Sequence, residues 1–555
     1  MKRFIIKGPN KAIRGEVEIS GAKNSCLPLM AASILFKNKV ILKNVPFVKD
    51  VLTMKDLLVS LGSKVEVSES SKTITITNKK KHKLIVPYKL VSTMRAGVLT
   101  MGPLLGKYQK KKIKVALGGG CALGVRDTSW HLAGFKSLGA DNILDKGYVN
   151  ITSKRGLKGG KYKFPNVTVT GTSNLIMASV LGKGVHYIKN ISIEPEVIDL
   201  ISFLNNSGAD IKFIGKRSIK IKGIEELING KHTIIGDRIE AFSYLCVGAI
   251  TNSKIKINNI NPNHLRSEIG ILRKIGYKIE DKNNSIQLIS SKKLNSINLK
   301  TGPFPNFATD NMPIILALLT TIKGKSKIEE TIFSNRFMAA PELNRMGAKI
   351  KIKKNKAVII GQKKLNSADC ISSDLRTTFS IILGAIAAHG SSTVLRIYHG
   401  LRGYYNLEQK LKKVGVKIIS KKKMTKKFLK KIIAQSEKDL QFVSACCSDG
   451  IVKIKEIKYL QKNKIFLLSI ERFNKETNDE NIRINSIIRF DYVNSSKSKN
   501  IVLTEEKLKI KLLAIDLFKK QDNYEITLLF SNNRFISLVV EIIEVTLEDL
   551  KVLDD

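Results

Sequence analysis

Six times in the first three quarters of this chain a helical pattern ends in a glycine and passes directly into a strand. The copies are Leu61-Gly62-Ser63-Lys64-Val65, Leu138-Gly139-Ala140-Asp141, Ser207-Gly208-Ala209-Asp210-Ile211, Ile275-Gly276-Tyr277-Lys278-Ile279, Met346-Gly347-Ala348-Lys349-Ile350 and Val414-Gly415-Val416-Lys417-Ile418. The glycines recur about every seventy residues. A helix ends readily where the chain turns left-handed, and glycine makes that turn without a Cβ clash. Each unit also carries a second apolar helix, as in Leu27 to Leu35 or Phe379 to Ala388. Six near-regular copies predict an internally repeated α/β architecture.

The chain has 555 residues, too many for one ordinary domain. Composition changes after Gly415. Lys421-Lys422-Lys423-Met424-Thr425-Lys426-Lys427 is a charge run without periodicity, so residues 421–431 read as a basic linker. Beyond it the pattern turns to β. Ile465 to Ile470 is one strand. Tyr524 to Phe530, an asparagine turn at Ser531-Asn532-Asn533, and Phe535 to Val540 read as a hairpin. A short helix over Leu547 to Leu553 is expected to close this β-rich accessory domain, residues 432–555.

Lysine and arginine number 96 against 47 acids, a formal charge of +49. Such a charge suits anionic partners. Here the lysines are spread beside isoleucines and asparagines, as a codon bias would leave them, and no basic stripe interleaves aromatics. Neither nucleic-acid binding nor membrane insertion is expected: no stretch approaches the ~18 consecutive apolar residues of a span. Met312 to Leu319 reads as a core helix. The six cysteines form no CxxC pair or metal spacing, so no metal or cofactor is expected and the compartment reads as reducing.

One stretch stands apart, Gly118-Gly119-Gly120-Cys121-Ala122-Leu123-Gly124-Val125-Arg126, after a predicted strand at Ile113 to Leu117. Glycines in a row form a loop whose backbone can approach a ligand closely. A lone cysteine is usually a small buried hydrophobe, but beside a cation such as Arg126 its thiolate becomes reactive.

Nine short motifs, in order, make residues 1 to about 420 resemble the UDP-N-acetylglucosamine enolpyruvyl transferase (1-carboxyvinyltransferase) family. They are Gly21-Ala22-Lys23-Asn24, Thr93-Met94-Arg95-Ala96, the Cys121 loop with Arg126, Glu194-Pro195-Glu196, Asp237-Arg238-Ile239-Glu240, Phe307-Ala308-Thr309-Asp310, Asn335-Arg336-Phe337-Met338 with Pro341-Glu342-Leu343, Asp374-Leu375-Arg376, and Arg402-Gly403-Tyr404. The resemblance implies a two-domain inside-out α/β barrel of six βαβ-type repeats, with helices inside and sheets outside. Residues 22–235 would form the first domain, carrying the cysteine loop, and residues 1–21 with 236–420 the second. It further implies addition of phosphoenolpyruvate to the sugar 3-hydroxyl of UDP-N-acetylglucosamine, then loss of phosphate, as the first committed step of peptidoglycan synthesis in the cytoplasm. By this resemblance Cys121 is the general acid and Asp310 the base. Lys23, Arg126, Arg376 and Arg402 clamp the phosphate and carboxylate, a task that suits the planar guanidinium fork. Asn24, Arg95, Asp127, Thr128, Ser129, Trp130, Thr168, Val169, Thr170 and Ile332 line the substrate site. The family usually has Pro-Val-Asp-Leu-His after the loop arginine; here the run is Asp127-Thr128-Ser129-Trp130-His131. Two rival readings share the fold: 5-enolpyruvylshikimate 3-phosphate synthase, which lacks this cysteine loop, and a catalytically impaired sugar-nucleotide-binding regulator. A basic scaffold acting through its charge is a third. Protein partners are not indicated.

Overall fold

The computed structural model describes residues 2–553 except 11–12, 79–80, 92–93, 117–127, 146, 292, 423–430, 474–482, 503–504, 506–507 and 520–522. The chain divides into two compact units, Met1–Lys422 and Lys423–Asp555.

The first unit is built from one repeated motif. A parallel edge strand, a central strand and an antiparallel hairpin make a small sheet, as in Lys161–Lys163, Val185–Lys189, Ser218–Lys222 and Asp210–Gly215. Its sequence is a plain alternation: in Ser218–Lys222, Ile219 and Ile221 are fully buried while the residues between them face water. Six such sheets occur among the described residues. The edges are not all local. Gly230–Thr233 returns to pair with Val40–Lys43 and completes the first sheet. Glu16–Glu18 completes the fourth, beside Ile255–Asn258. Lys2–Gly8 lies in the sixth between Ala388–Leu395 and Ile418–Lys422. Lys421 and Lys422, expected in the linker, are therefore the last residues of a strand, paired with Arg3 and Lys2.

Each repeat contributes two kinds of helix. One is amphipathic and ends at the repeated glycine. Those glycines take positive φ in all six copies: 109° at Gly62, 90° at Gly139, 100° at Gly208, 120° at Gly276, 87° at Gly347 and 94° at Gly415. The other helix is buried on nearly every side and must therefore be interior. All eight residues of Met312–Leu319 are buried, as are nine of the ten in Lys23–Ala32. The expected core helix at Met312 to Leu319 is there. The apolar residues form two clusters, one from Cys26 to Ile234, the other joining Phe4–Ile19 stretches to Ala241–Ile418 ones.

The second unit is a ten-stranded sheet around one helix, Glu437–Cys447. The expected strand appears as Ile465–Phe473, and the hairpin as Tyr524–Phe530 with Arg534–Val540. The expected terminal helix does not form. Val545–Leu553 is a strand, paired with Arg483–Phe490 and Lys431–Ala434. Its inward residues are Val545, Leu547 and Asp549. The acid at the third inward position disguises the alternation, and it is there because it pairs with the buried Arg472 at 2.8 Å, with Ser486 donating to it at 2.6 Å. The charge excess is also less even than expected. Residues 431–555 carry twenty basic and twenty acidic side chains, so the whole excess belongs to what precedes them.

The repeated glycines differ in what surrounds them. A Cβ on Gly276 would meet the Lys293 carbonyl at 2.4 Å, whereas one on Gly62 finds nothing nearer than 3.7 Å. Gly62→Ala should cost only the left-handed strain, about 1–2 kcal/mol. Gly276→Ala adds a backbone clash and should cost clearly more. Chemical denaturation of both variants checks the order.

Candidate active site

Several inner elements of the first unit begin with a charged residue, and these meet. Lys23 opens the helix Lys23–Ala32, which has no acid in its first turn and no side-chain cap. A cation there opposes the positive end of the helix dipole and needs an anion. Asp50 supplies it from the start of Lys49–Leu61. Its Oδ2 accepts from Lys23 Nζ at 3.2 Å and its Oδ1 from Arg402 Nε at 2.9 Å. Burial opposes the charge on Asp50, but Lys23 and Arg402 outweigh it and hold the carboxyl below its ordinary range.

A second carboxylate repeats the arrangement. Asp310 lies in the 3-10 turn Thr309–Asn311, just before Met312–Leu319. It accepts from Arg336 Nη2 at 2.5 Å and from Arg376 Nη2 at 3.0 Å. It does not cap the helix; Ala308 and Asn311 hold the cap positions, neither with a side-chain bond. Burial again opposes its charge, and Arg376, Arg336 and, at longer range, Lys23 overcome it and hold Asp310 far below the usual carboxylate range. Arg376 is set by Asp374, which caps Leu375–Ala387 by accepting from Arg376 N at 2.9 Å and Thr377 N at 3.1 Å. Its guanidinium carbon lies 5.5 Å from the centre of the Tyr404 ring, and its Nη1 is buried with no hydrogen-bond partner among the described residues. A buried, unmatched guanidinium nitrogen is costly unless an anion completes it.

Thus Lys23, Arg376, Arg402 and Asp310 fall in one charged cluster. Asn24 follows Lys23 and is half-buried. Arg95 heads the 3-10 segment Arg95–Thr100. Another group gathers on His131. Its Nε2 is 3.4 Å from Thr170 Oγ1 and its Nδ1 3.0 Å from Asn174. That contact brings Thr128, Ser129 and Trp130, at the start of Ser129–Ser137, toward Thr168, Val169 and Thr170, at the start of Val169–Ser179. Thr168 caps the latter helix, accepting from Gly171 N at 3.3 Å. Ile332 is 40 % exposed, and its amide donates to the buried Glu330 at 2.8 Å. Cys121, Arg126 and Asp127 lie outside the described residues. Sequence reasoning missed Asp50 and gave Arg336 no role; the place of Arg336 in Asn335-Arg336-Phe337-Met338 was the available signal, and its burial is visible only in the structure.

The family described as EPSP synthase (3-phosphoshikimate 1-carboxyvinyltransferase) matches residues 7–411. A second, described only as a protein of unknown function, DUF2948, matches residues 430–553. The chain is similar to the UDP-N-acetylglucosamine 1-carboxyvinyltransferase of Pelagibacter ubique, 46 % identical over 75 % of this chain and 99 % of the relative. Those of Helicobacter pylori strain P12 and Campylobacter jejuni are each 43 % identical, over 73 % and 74 % of this chain and 96 % and 98 % of theirs. Among solved structures, the enolpyruvyl transferase NikO from Streptomyces tendae superposes with a TM-score of 0.69 at 21 % identity, over 76 % of this chain and 99 % of its own. EPSP synthase from Acinetobacter baumannii gives 0.62 at 18 %, over 76 % and 100 %.

The arginines on Asp310 make a pH prediction. A carboxylate whose folded pKa is depressed stabilises the protein above its unfolded pKa, and that contribution is lost as pH falls through the folded value. Arg336→Met removes one of the two guanidinium partners, so the folded pKa rises toward the ordinary one. The acid-unfolding midpoint, followed by circular dichroism, should move to higher pH. At pH 7 the loss should be about 1–3 kcal/mol, that of a hydrogen bond to a charged group. Equal acid midpoints would show that Arg336 does not stabilise the ionised carboxylate.

Proposed function

The chain belongs to the EPSP synthase family of 1-carboxyvinyltransferases, and from that premise we propose that it transfers the enolpyruvyl group of phosphoenolpyruvate to the 3-hydroxyl of UDP-N-acetylglucosamine. Phosphate is released, and the step commits the sugar nucleotide to peptidoglycan. The acceptor follows from the relatives, which carry that activity in their names over nearly their whole length. The observation that carries the chemistry is the cluster of Lys23, Arg376 and Arg402, held by acids yet with donors to spare for a small, doubly anionic substrate. We read residues 22–235, and residues 1–21 with 236–420, as the two domains that share the site. Residues 432–555 stand as an accessory domain outside the chemistry. No helix among the described residues is long and apolar enough to cross a membrane, and the substrates place the reaction in the cytoplasm.

The addition step needs a proton given to the methylene carbon and one taken from the hydroxyl. Cys121 gives the first and Asp310 takes the second. The C–O bond to the sugar then forms at C2, and the tetrahedral adduct loses a proton from the methyl group as the C–O bond to phosphate breaks. In the unliganded arrangement Asp310 is a poor base, because two guanidiniums hold its charge. When the substrate's carboxylate or phosphate engages Arg376, that hold weakens and the basicity of Asp310 rises toward the range a general base needs. Thr168 to Thr170, Thr128 to Trp130 and Ile332 serve the sugar nucleotide.

Phosphate release from phosphoenolpyruvate should require UDP-N-acetylglucosamine, and shikimate 3-phosphate should not replace it. Lys23→Ala and Arg402→Ala should each lower turnover about 10²–10³-fold, as losing one donor to a developing anion does. Release with shikimate 3-phosphate alone would reassign the acceptor.

A second prediction concerns the thiols. Burial pushes the Cys26 and Cys246 thiols up and Cys370 to about 12, and Cys446 and Cys447 are buried as well. A thiol so disfavoured as thiolate does not alkylate. The epoxide fosfomycin, similar to phosphoenolpyruvate in size and charge, should therefore add to Cys121 alone, faster with UDP-N-acetylglucosamine present. Peptide mass mapping reads the site, and adduct on another cysteine with Cys121 untouched would displace it from the mechanism.

A further inference from the structure

We propose that Asp50 is a positioning residue of this reaction: it sets the separation and direction of Lys23 and Arg402 without touching substrate. The inference rests on the function proposed above. In sequence Asp50 is one acid in the first turn of Lys49–Leu61, where it would serve the helix dipole and face water. Instead it is 6 % exposed. The helix cap is Val48, with no side-chain bond, and the Asp50 carboxylate is divided between two cations, one oxygen to each.

The three side chains come from three elements: the helix Lys23–Ala32, the helix Lys49–Leu61 and the 3-10 turn Ile397–Arg402. Asp50 and Arg402 are 352 residues apart. The first two elements pack into the cluster of residues 26–234, and the 3-10 turn packs into the other. The carboxylate therefore spans the two halves at the anion site. Two cations aimed at one phosphate repel each other unless an anion lies between them. A carboxylate that takes one donor from each cancels that repulsion and fixes their gap. It leaves donors for the ligand: Lys23 keeps two of its three protons. Arg402 uses its Nε, and neither terminal nitrogen makes a hydrogen bond among the described residues. The pair is thereby set for the anion before it binds, rather than ordered by it.

Three roles for Asp50 predict different kinetics. If it only offset positive charge, Asp50→Asn would make the site more cationic and tighten phosphoenolpyruvate binding, with kcat unchanged. If it only filled space, the isosteric amide would change neither constant. If it positions the cations, the amide leaves them misplaced in the transition state, and kcat falls while KM for phosphoenolpyruvate stays level or drops. Displacements of an ångström in such a site can cost about 10²-fold.

The experiment varies phosphoenolpyruvate at saturating UDP-N-acetylglucosamine, using the full-length protein, Asp50→Asn and Asp50→Glu, with phosphate release as readout. Asp50→Asn should lose about tenfold or more in kcat, with KM rising less than twofold. Asp50→Glu keeps the charge but moves it by one methylene, and should fall between the two. A kcat for Asp50→Asn within twofold of the natural protein overturns the proposal. If the amide variant does not fold, Asp50→Glu decides: a loss of several-fold in kcat supports the assignment, and an unchanged kcat overturns it. Absence of turnover in the natural protein itself would instead bring down the function proposed above, and this inference with it.

Discussion

An ionised group taken out of water must be matched, and that requirement shapes the interior of the first unit. Desolvating a single ion costs several kcal/mol, so the buried cations come with their acids. Lys23 and Arg402 share Asp50, and Arg336 and Arg376 share Asp310. The same logic holds away from the site. Arg238 meets Glu196 at 2.9 Å and Lys410 meets Glu240 at 2.7 Å. Two of these pairs, Glu196 with Arg238 and Asp50 with Arg402, join elements that pack into different apolar clusters. The clusters are each apolar within and joined by charge, an arrangement in which a charged ligand can compete for the joints directly.

What the sequence disclosed and what it hid follow one division. The glycine repeat was legible because helix termination is local: one residue type answers one backbone need, and six copies make the answer visible. The hairpin from Tyr524 was legible for the same reason, its alternation and asparagine turn lying side by side. Lys23, Arg376 and Arg402, which the structure brings into one charged cluster, were picked out through short motifs in a known order. Asp50 was not, because what distinguishes it is a partner 352 residues away. Nor was the state of Asp310. A carboxylate in a matched motif reads as a base, and the two guanidiniums that hold its charge come from elsewhere in the chain. The strand at Val545–Leu553 was missed because Asp549 occupies an inward place. Leucines at 547, 550 and 553 then suggest a helical face, and the buried arginine that justifies the acid is on another strand.

The two units differ in how they handle charge. From residue 431 on the second is balanced, twenty against twenty, and its most buried charges, Arg472 and Asp549, pair with each other and with Ser486. Arg472 also donates to the Cys446 carbonyl at 3.3 Å. The first carries the excess, and at its centre the cations retain spare donors. A codon bias acting evenly along the chain would have left both units basic. The balance of the second therefore marks a composition held against that drift.

The position of the first strand has a consequence for how this protein is made. Lys2–Gly8 is an inner strand of the sixth sheet, flanked by Ala388–Leu395 and Ile418–Lys422. It leaves the ribosome well before its neighbours, which are some four hundred residues behind it. At about 5–20 residues per second it waits roughly 20–80 s for them. Over that interval the stretch through Gly230–Thr233 can close its own sheets, while the opening segment, rich in Phe and Ile, has nowhere to bury. When Ile418–Lys422 is at last synthesised, the remaining residues are still to come. The sixth sheet can therefore close while the nascent chain is still tethered, with the second unit acting in effect as the trailing length on which the first completes itself.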